Sequence, residues 1–170
     1  MKLALLGLGK MGWNLMLNLL DHGHEVVAYD IHAETVRQAA EKGAEPAGSA
    51  EEAMQLLGEQ KIVWMMVPAG EITENLINEL KPLLSERDVL IDGGNSNYKD
   101  TVRRYEALKN QGVSYVDVGT SGGMEGARGG ACTMIGGDQK VFEQIEPIFK
   151  DISVENGYLY TGKSGSGHKY

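Results

Sequence analysis

The chain has 170 residues, enough for one hydrophobic core, and its 42% apolar and 24% charged content is that of a folding domain and not of a disordered segment. Its 16 Lys and Arg against 24 Asp and Glu leave a formal charge of −8, and no basic cluster offers the footprint that nucleic acid or an anionic lipid surface requires. No apolar run reaches the roughly 18 to 20 residues of a membrane span, and Met1-Lys2 opens directly onto a strand pattern, so a cytoplasmic chain without membrane partners is expected.

The apolar run from Lys2 to Leu6, closed by Gly7, reads as a strand buried on both faces. After Gly12, Leu15, Met16, Leu19 and Leu20 recur at helical spacing up to Gly23. Glu25 to Asp30 is a second strand and Ala33 to Lys42 a second helix, completing a β-α-β unit. Ser49 and Glu52 form a capping box for a short helix to about Leu57, and Lys61 to Val67 is a third buried strand. A helix follows from Glu71 to Leu80, limited by Pro82. Val89 to Asp92 is a strand, Tyr98 to Asn110 a helix, and Val113 to Val118 and Cys132 to Ile135 two more strands, before a helix capped by Asp138 that runs to about Phe149. This alternation predicts a Rossmann-like, doubly wound, mostly parallel sheet with helices on both faces, over residues 1–161. The glycines from Gly162 to Gly167 read as a flexible connection in residues 162–170. Cys132 is the only cysteine, which leaves no intrachain disulfide and reads as a buried thiol, and four dispersed histidines give no metal-ligand spacing, so no metal is expected.

Gly7-Leu8-Gly9-Lys10-Met11-Gly12 is a G-x-G-x-x-G between a predicted strand and a predicted helix, the context in which the pattern signifies dinucleotide binding. The first glycine permits a tight turn, the second lets a pyrophosphate approach the backbone, and the third allows close helix packing, with the phosphates meeting the helix N-terminus. Asp30 ends the second strand where such folds place an acid against the adenosine ribose hydroxyls; the same carboxylate could instead cap the next helix. A 2′-phosphate about 4 Å from that carboxylate meets roughly 4 kcal/mol of repulsion per unit charge at an effective dielectric near 20, so NAD is the expected cofactor and NADP is disfavoured. No arginine follows Asp30 directly, and Arg37 stands two helical turns away. Val67-Pro68-Ala69-Gly70 leaves the third strand at its carboxyl end, bordering the cofactor crevice, although a proline turn there needs no ligand.

Two later loops follow strands and should open on the same crevice: Asp92-Gly93-Gly94-Asn95-Ser96-Asn97-Tyr98-Lys99-Asp100-Thr101, and the run from Gly119 to Gly130 with Ser121-Gly122-Gly123 at its start. Either could be only a glycine-rich turn, or could surround an oxyanion with backbone amides. Together with the opening glycine motif they resemble the 6-phosphogluconate dehydrogenase family over essentially the whole chain. The 3-hydroxyisobutyrate dehydrogenases are similar in the first glycine motif and the S-G-G loop but not around Gly93 to Ser96. Another β-hydroxyacid dehydrogenase is therefore the second reading, and an NAD-binding module without chemistry the third.

The resemblance implies NAD-dependent oxidation and decarboxylation of 6-phosphogluconate to ribulose 5-phosphate and carbon dioxide, in homo-oligomers and without metal. It places Asn95 between nicotinamide and substrate, and Ser121, Gly122 and Gly123 against the sugar acid. The family's general-base lysine and acid glutamate follow a G-x-G-H motif that Gly165-Ser166-Gly167-His168 begins to match; they are expected beyond Tyr170, in a helical domain, and Lys169 stands too early to be the base. Where NADP-dependent members resemble Asn-Arg-Thr, this chain has Asp30-Ile31-His32, similar to the NAD-preferring branch.

Overall fold

The computed structural model describes residues 1–169. Along the chain run β1 (Lys2–Leu6), α1 (Lys10–Asp21), β2 (Glu25–Tyr29), α2 (Ala33–Glu41), β3 (Glu45–Pro46), α3 (Ala50–Leu57), β4 (Ile62–Met65), α4 (Glu71–Leu80), β5 (Val89–Asp92), α5 (Tyr98–Lys109), β6 (Ser114–Ser121), α6 (Gly123–Gly129), β7 (Ala131–Gly136), α7 (Gln139–Ile152), β8 (Ser153–Gly162) and α8 (Ser166–Lys169). They form one sheet in the order β3-β2-β1-β4-β5-β6-β7-β8. All neighbours are parallel except β6 and β7, which pair antiparallel through Ser121 and Cys132 at one end and Asp117 and Gly136 at the other.

Side chains that alternate along each strand feed two separate cores. Leu3, Leu5, Trp64 and Ile91 pack with Leu15, Met16 and Leu19 of α1 and with Ile145 and Phe149 of α7, the Trp64 and Phe149 rings lying 5.6 Å apart. Ala4, Leu6, Val63, Met65 and Leu90 face the other way, against Met54 of α3, Ile77 and Leu80 of α4 and Leu108 of α5. Covering on both sides is what makes the central strands continuous apolar runs.

Local signals account for most boundaries. Ser49 Oγ accepts from Glu52 N at 3.0 Å at the start of α3, while Glu52 Oε1 takes the amide of Gly48, one residue earlier than the box expected from sequence. Pro82 sits in a single 3-10 turn, Lys81–Leu83, that ends α4.

Several expectations from sequence are corrected. Asp138 gives α7 no side-chain cap; its Oδ1 accepts instead from the Tyr105 hydroxyl, and burial together with that bond pushes the Tyr105 phenol up to about 12. Cys132 is exposed, because β7 turns Ala131, Thr133 and Ile135 inward and Cys132 falls on the opposite face. The glycine-rich run from Gly162 to Gly167 is not a loose tether: the amides of Gly165 and His168 donate to Asp117 of β6, and α8 lies against β6 and β7.

Candidate cofactor and substrate site

The strand order reverses between β1 and β4, and the loops leaving those strands open a crevice at their carboxyl ends. Gly7 turns there with φ 106°, and a Cβ on it would lie 2.3 Å from the Met66 carbonyl oxygen. A Cβ on Gly12 would lie 2.1 Å from the Gly7 carbonyl oxygen, so this glycine brings α1 down onto the turn. Around Gly9 nothing lies within 4 Å of a built Cβ, and as the N-cap of α1 it leaves the first-turn amides without a side-chain cap. The turn is thus closed at Gly7 and Gly12 and open at Gly9.

Asp30 stands across this turn. Its Oδ2 accepts from the Leu8 amide at 2.7 Å, and its Oδ1 from the His32 amide at 2.9 Å and the His32 ring Nδ1 at 2.8 Å. Burial works to raise its pKa, but the bonds from the Leu8 amide and then from His32 outweigh it and hold the carboxyl below the usual range, so Asp30 is an anion at neutral pH. Beside it lies a cavity of about 510 Å³ lined by Gly7, Leu8, Gly9, Asp30, Val67 and Pro68. Lys10, Met11 and Ala69 are not among its walls; Met11 faces a small void with Leu15 and Trp64 instead. The far wall was not foreseen from sequence: His32 and Thr35 at the start of α2 face Ile72, Asn75 and Glu79 on α4. The only advance signal was that α2 and α4 follow strands bordering the crevice. Arg37 does not reach out as a phosphate clamp, since its guanidinium is held by Glu34 on one side and by Glu41 at 2.6 Å on the other.

The Asn95 loop is built on Asp92, which is 1% exposed. Asp92 Oδ2 accepts from the Ser96 hydroxyl at 2.8 Å and the Tyr115 hydroxyl at 2.6 Å, and its Oδ1 from the Gly94 amide at 3.0 Å. Arg104, 3% exposed, lies 3.7 Å from Asp92 Oδ2, donates to Ser96 Oγ at 3.0 Å, and donates through Nε to Glu74 at 2.6 Å. Burial and the adjacent Asp92 carboxylate push the Tyr115 phenol far up, so it stays a donor. Gly93 is required because a Cβ would lie 2.4 Å from Trp64 Nε1, and Gly94 because one would lie 2.7 Å from the Val67 carbonyl oxygen. Asn97 Oδ1 accepts from Lys99 N and starts α5. The D-G-G-N-S string therefore encodes a braced turn that leaves the Asn95 amide exposed at its tip.

Ser121 ends β6, and Gly122 and Gly123, with φ 101° and 60°, turn the chain into α6; all three are exposed at the same end of the sheet as Asn95. The helix packs on α1. Asn18 of α1, 1% exposed, donates through Nδ2 to the carbonyls of Ala127 at 3.0 Å and Ile152 at 2.9 Å, and Arg128 pairs with Asp21 at 2.5 Å. The helix that begins at the glycine turn and the loop that begins at Ser121 thus share one packed interface.

The G-S-G-H segment crosses beneath the Asn95 loop. Asp117, fully buried, accepts from the Gly165 amide and the His168 amide, both at 2.9 Å. A Cβ on Gly167 would lie 2.6 Å from the Asp117 carbonyl oxygen, which explains the glycine. His168 Nε2 lies 2.9 Å from the Asp92 carbonyl oxygen and Nδ1 2.7 Å from Thr101 Oγ1. A carbonyl only accepts, so Nε2 carries a proton and donates to the Asp92 carbonyl, while the Thr101 hydroxyl lies between Nδ1 and the Asn97 carbonyl at 3.3 Å.

Among the described residues no three His, Cys, Asp or Glu side chains converge as a metal set, and no helix is long and apolar enough to cross a membrane. The fold and the open glycine turn at the strand switch are those of a dinucleotide-binding domain. Residues 2–162 match the family model described as the NAD binding domain of 6-phosphogluconate dehydrogenase. The chain belongs to the 6-phosphogluconate dehydrogenase family. It is 44% identical over 169 residues to the NAD(+)-dependent, decarboxylating 6-phosphogluconate dehydrogenase of Haloferax volcanii, covering 99% of this chain and 56% of that protein. The solved 6-phosphogluconate dehydrogenase of Plasmodium falciparum superposes with a TM-score of 0.91 at 29% identity, over 99% of this chain and 38% of that one. The 3-hydroxyisobutyrate dehydrogenase of Mycobacterium tuberculosis superposes at 0.89 with 25% identity, over 99% and 56%. The chain spans 56% or less of the length of these curated and solved relatives.

Proposed function

We propose that the chain holds NAD in preference to NADP and forms the cofactor half, with part of the substrate site, of an enzyme that oxidatively decarboxylates 6-phosphogluconate to ribulose 5-phosphate and carbon dioxide. The observation that carries the reading is the pairing of an anionic Asp30, fixed to the Leu8 amide, with the braced Asn95 turn at the same sheet edge. Asp30 takes the ribose hydroxyls, the Gly9 turn and the α1 N-terminus take the pyrophosphate, and Val67 and Pro68 border the dinucleotide. Bound NAD supplies the hydride acceptor for the C3–H bond of the sugar acid. Asn95, able to donate and accept at once, orients the substrate hydroxyl beside the nicotinamide, and Ser121 with the Gly122 and Gly123 amides receives the carboxylate that leaves as carbon dioxide. The general base and general acid are assigned to no residue of this chain, whose own part is binding and orientation. The braced D-G-G-N-S turn favours 6-phosphogluconate over a short 3-hydroxy acid.

Two titrations test this. NAD is expected to change the fluorescence of Trp13, one residue past the glycine turn, at much lower concentration than NADP; equal curves overturn the cofactor preference. Cys132 pairs directly with Ser121 across the strands and is exposed, so its alkylation by iodoacetamide reports on the substrate loop. With NAD present, 6-phosphogluconate is expected to slow that alkylation and 3-hydroxyisobutyrate is not. The reverse order would assign the chain to the other dehydrogenase class.

A further inference from the structure

We infer that the His32 imidazole is a displaceable occupant of the ribose site, a specificity residue that lowers the affinity for NAD while leaving NADP nearly untouched. The inference rests on the reading of Asp30 as the ribose-binding acid and extends it.

A carboxylate offers about four lone-pair positions, two on each oxygen. On Asp30, Oδ1 has both filled, by the His32 amide at 2.9 Å and the His32 ring Nδ1 at 2.8 Å, while Oδ2 has one filled, by the Leu8 amide at 2.7 Å. One position is left. A ribose with free 2′ and 3′ hydroxyls brings two O–H donors and needs two positions, so one of the three existing donors must leave. The Leu8 and His32 amides belong to backbone fixed by β1, the glycine turn and the start of α2. The His32 ring is held by side-chain torsions alone, its side chain 74% exposed against 12% for Asp30, and it lines the same cavity as Asp30 and Gly9. It is the group that yields.

A 2′-phosphate changes this count. At neutral pH its oxygens accept and do not donate, so NADP brings only the 3′ hydroxyl, which the one free position on Oδ2 accommodates with His32 in place. His32 therefore competes with NAD and not with NADP, and the preference set by Asp30 is blunted by its neighbour. No side-chain bond from His32 caps α2, so its replacement leaves the helix start without a lost cap.

The test is calorimetric titration of the chain with NAD and NADP. His32→Ala is expected to tighten NAD by about five- to ten-fold, the equivalent of one modest hydrogen bond, with NADP unchanged or weaker. His32→Asn, which keeps a side-chain donor two residues from Asp30, is expected to stay near the wild type. NAD affinity that is unchanged or weaker in His32→Ala, while Asp30→Ala still loses NAD binding, overturns the role of His32 and leaves the cofactor reading intact. An Asp30→Ala chain that binds NAD as the wild type does overturns both.

Discussion

The side-chain amide of Asn18 donates to the Ala127 carbonyl at 3.0 Å, so the helix that begins at the glycine turn holds the end of the helix that begins at Gly123. The same nitrogen also reaches Ile152, the last residue of α7. Asn18→Leu keeps the volume but orphans two buried carbonyls, and is expected to cost about 2 to 4 kcal/mol. The urea midpoint measures it, and exchange of the amides from Gly123 to Gly129 should rise more than that of β1.

Two glycines of one motif should fail in different ways. Gly9→Ala meets no atom within 4 Å, so its melting temperature is expected to stay within a few degrees of the wild type while NAD affinity falls by ten-fold or more. Gly12→Ala drives a methyl to 2.1 Å from the Gly7 carbonyl oxygen and is expected to lower the melting temperature as well. Parallel calorimetry and thermal melts separate the two.

Asp30 sets a pH limit. Its carboxyl titrates lower in the folded chain than in the unfolded one, where an aspartate titrates near about 3.9. The unfolded state therefore binds the proton first, and the stabilisation from Asp30 is whole above that value and drains away as pH falls through the lower, folded one. In the His32→Ala chain, where Asp30 acts on the ribose site alone, NAD affinity is expected to hold from pH 7 to 5 and to drop on further acidification, a drop that adding Asp30→Asn should remove. An NMR titration of the Leu8 amide, which donates to this carboxylate, follows the same event.

Arg104 joins the buried Ser96 and Asp92 to Glu74, which is half-buried at the rim. Burial opposes its charge, yet the bond to Glu74 keeps the guanidinium protonated. Arg104→Met leaves Asp92 buried without its cation and is expected to cost about 3 to 5 kcal/mol, whereas adding Asp92→Asn should return part of the loss. Urea denaturation of the two single variants and the double variant gives the coupling.

The central sheet was legible because its apolar runs are short and closed by turn residues: Leu3 to Leu6, ended by Gly7, is too brief for a helix and reads as a strand covered on both sides. The glycine turn and Asp30 were legible because a strand, three glycines and a second strand fix each other's spacing. What escaped was decided by tertiary contact. Gly-Met-Glu-Gly-Ala-Arg-Gly has poor helix propensity and becomes α6 because α1 supplies its packing face and Asn18 one of its terminal partners. The strand β8 has no fully buried residue, carries Asn156 at φ 58°, and exists because β7 offers an open edge. The serines and glycines from Gly162 to Gly167 look free in one dimension, and distant groups fold them down: Asp117, 48 residues before Gly165, and the Gly137 amide, which donates to the Gly162 carbonyl. The far wall of the cavity, His32 and Thr35 across from Asn75 and Glu79, depends on how two helices converge, which no local pattern states.

The turn carrying Asn95 is braced by Asp92 through bonds from the chain's own groups. Fixing one residue's backbone costs roughly 1 to 2 kcal/mol of conformational entropy, and from Gly93 to Ser96 that cost is met within folding by buried hydrogen bonds to the Gly94 amide and the Ser96 hydroxyl. A sugar acid docking against Asn95 would then find a stiff partner, and its binding heat should carry little of the unfavourable entropy that marks loops which fold around their ligands.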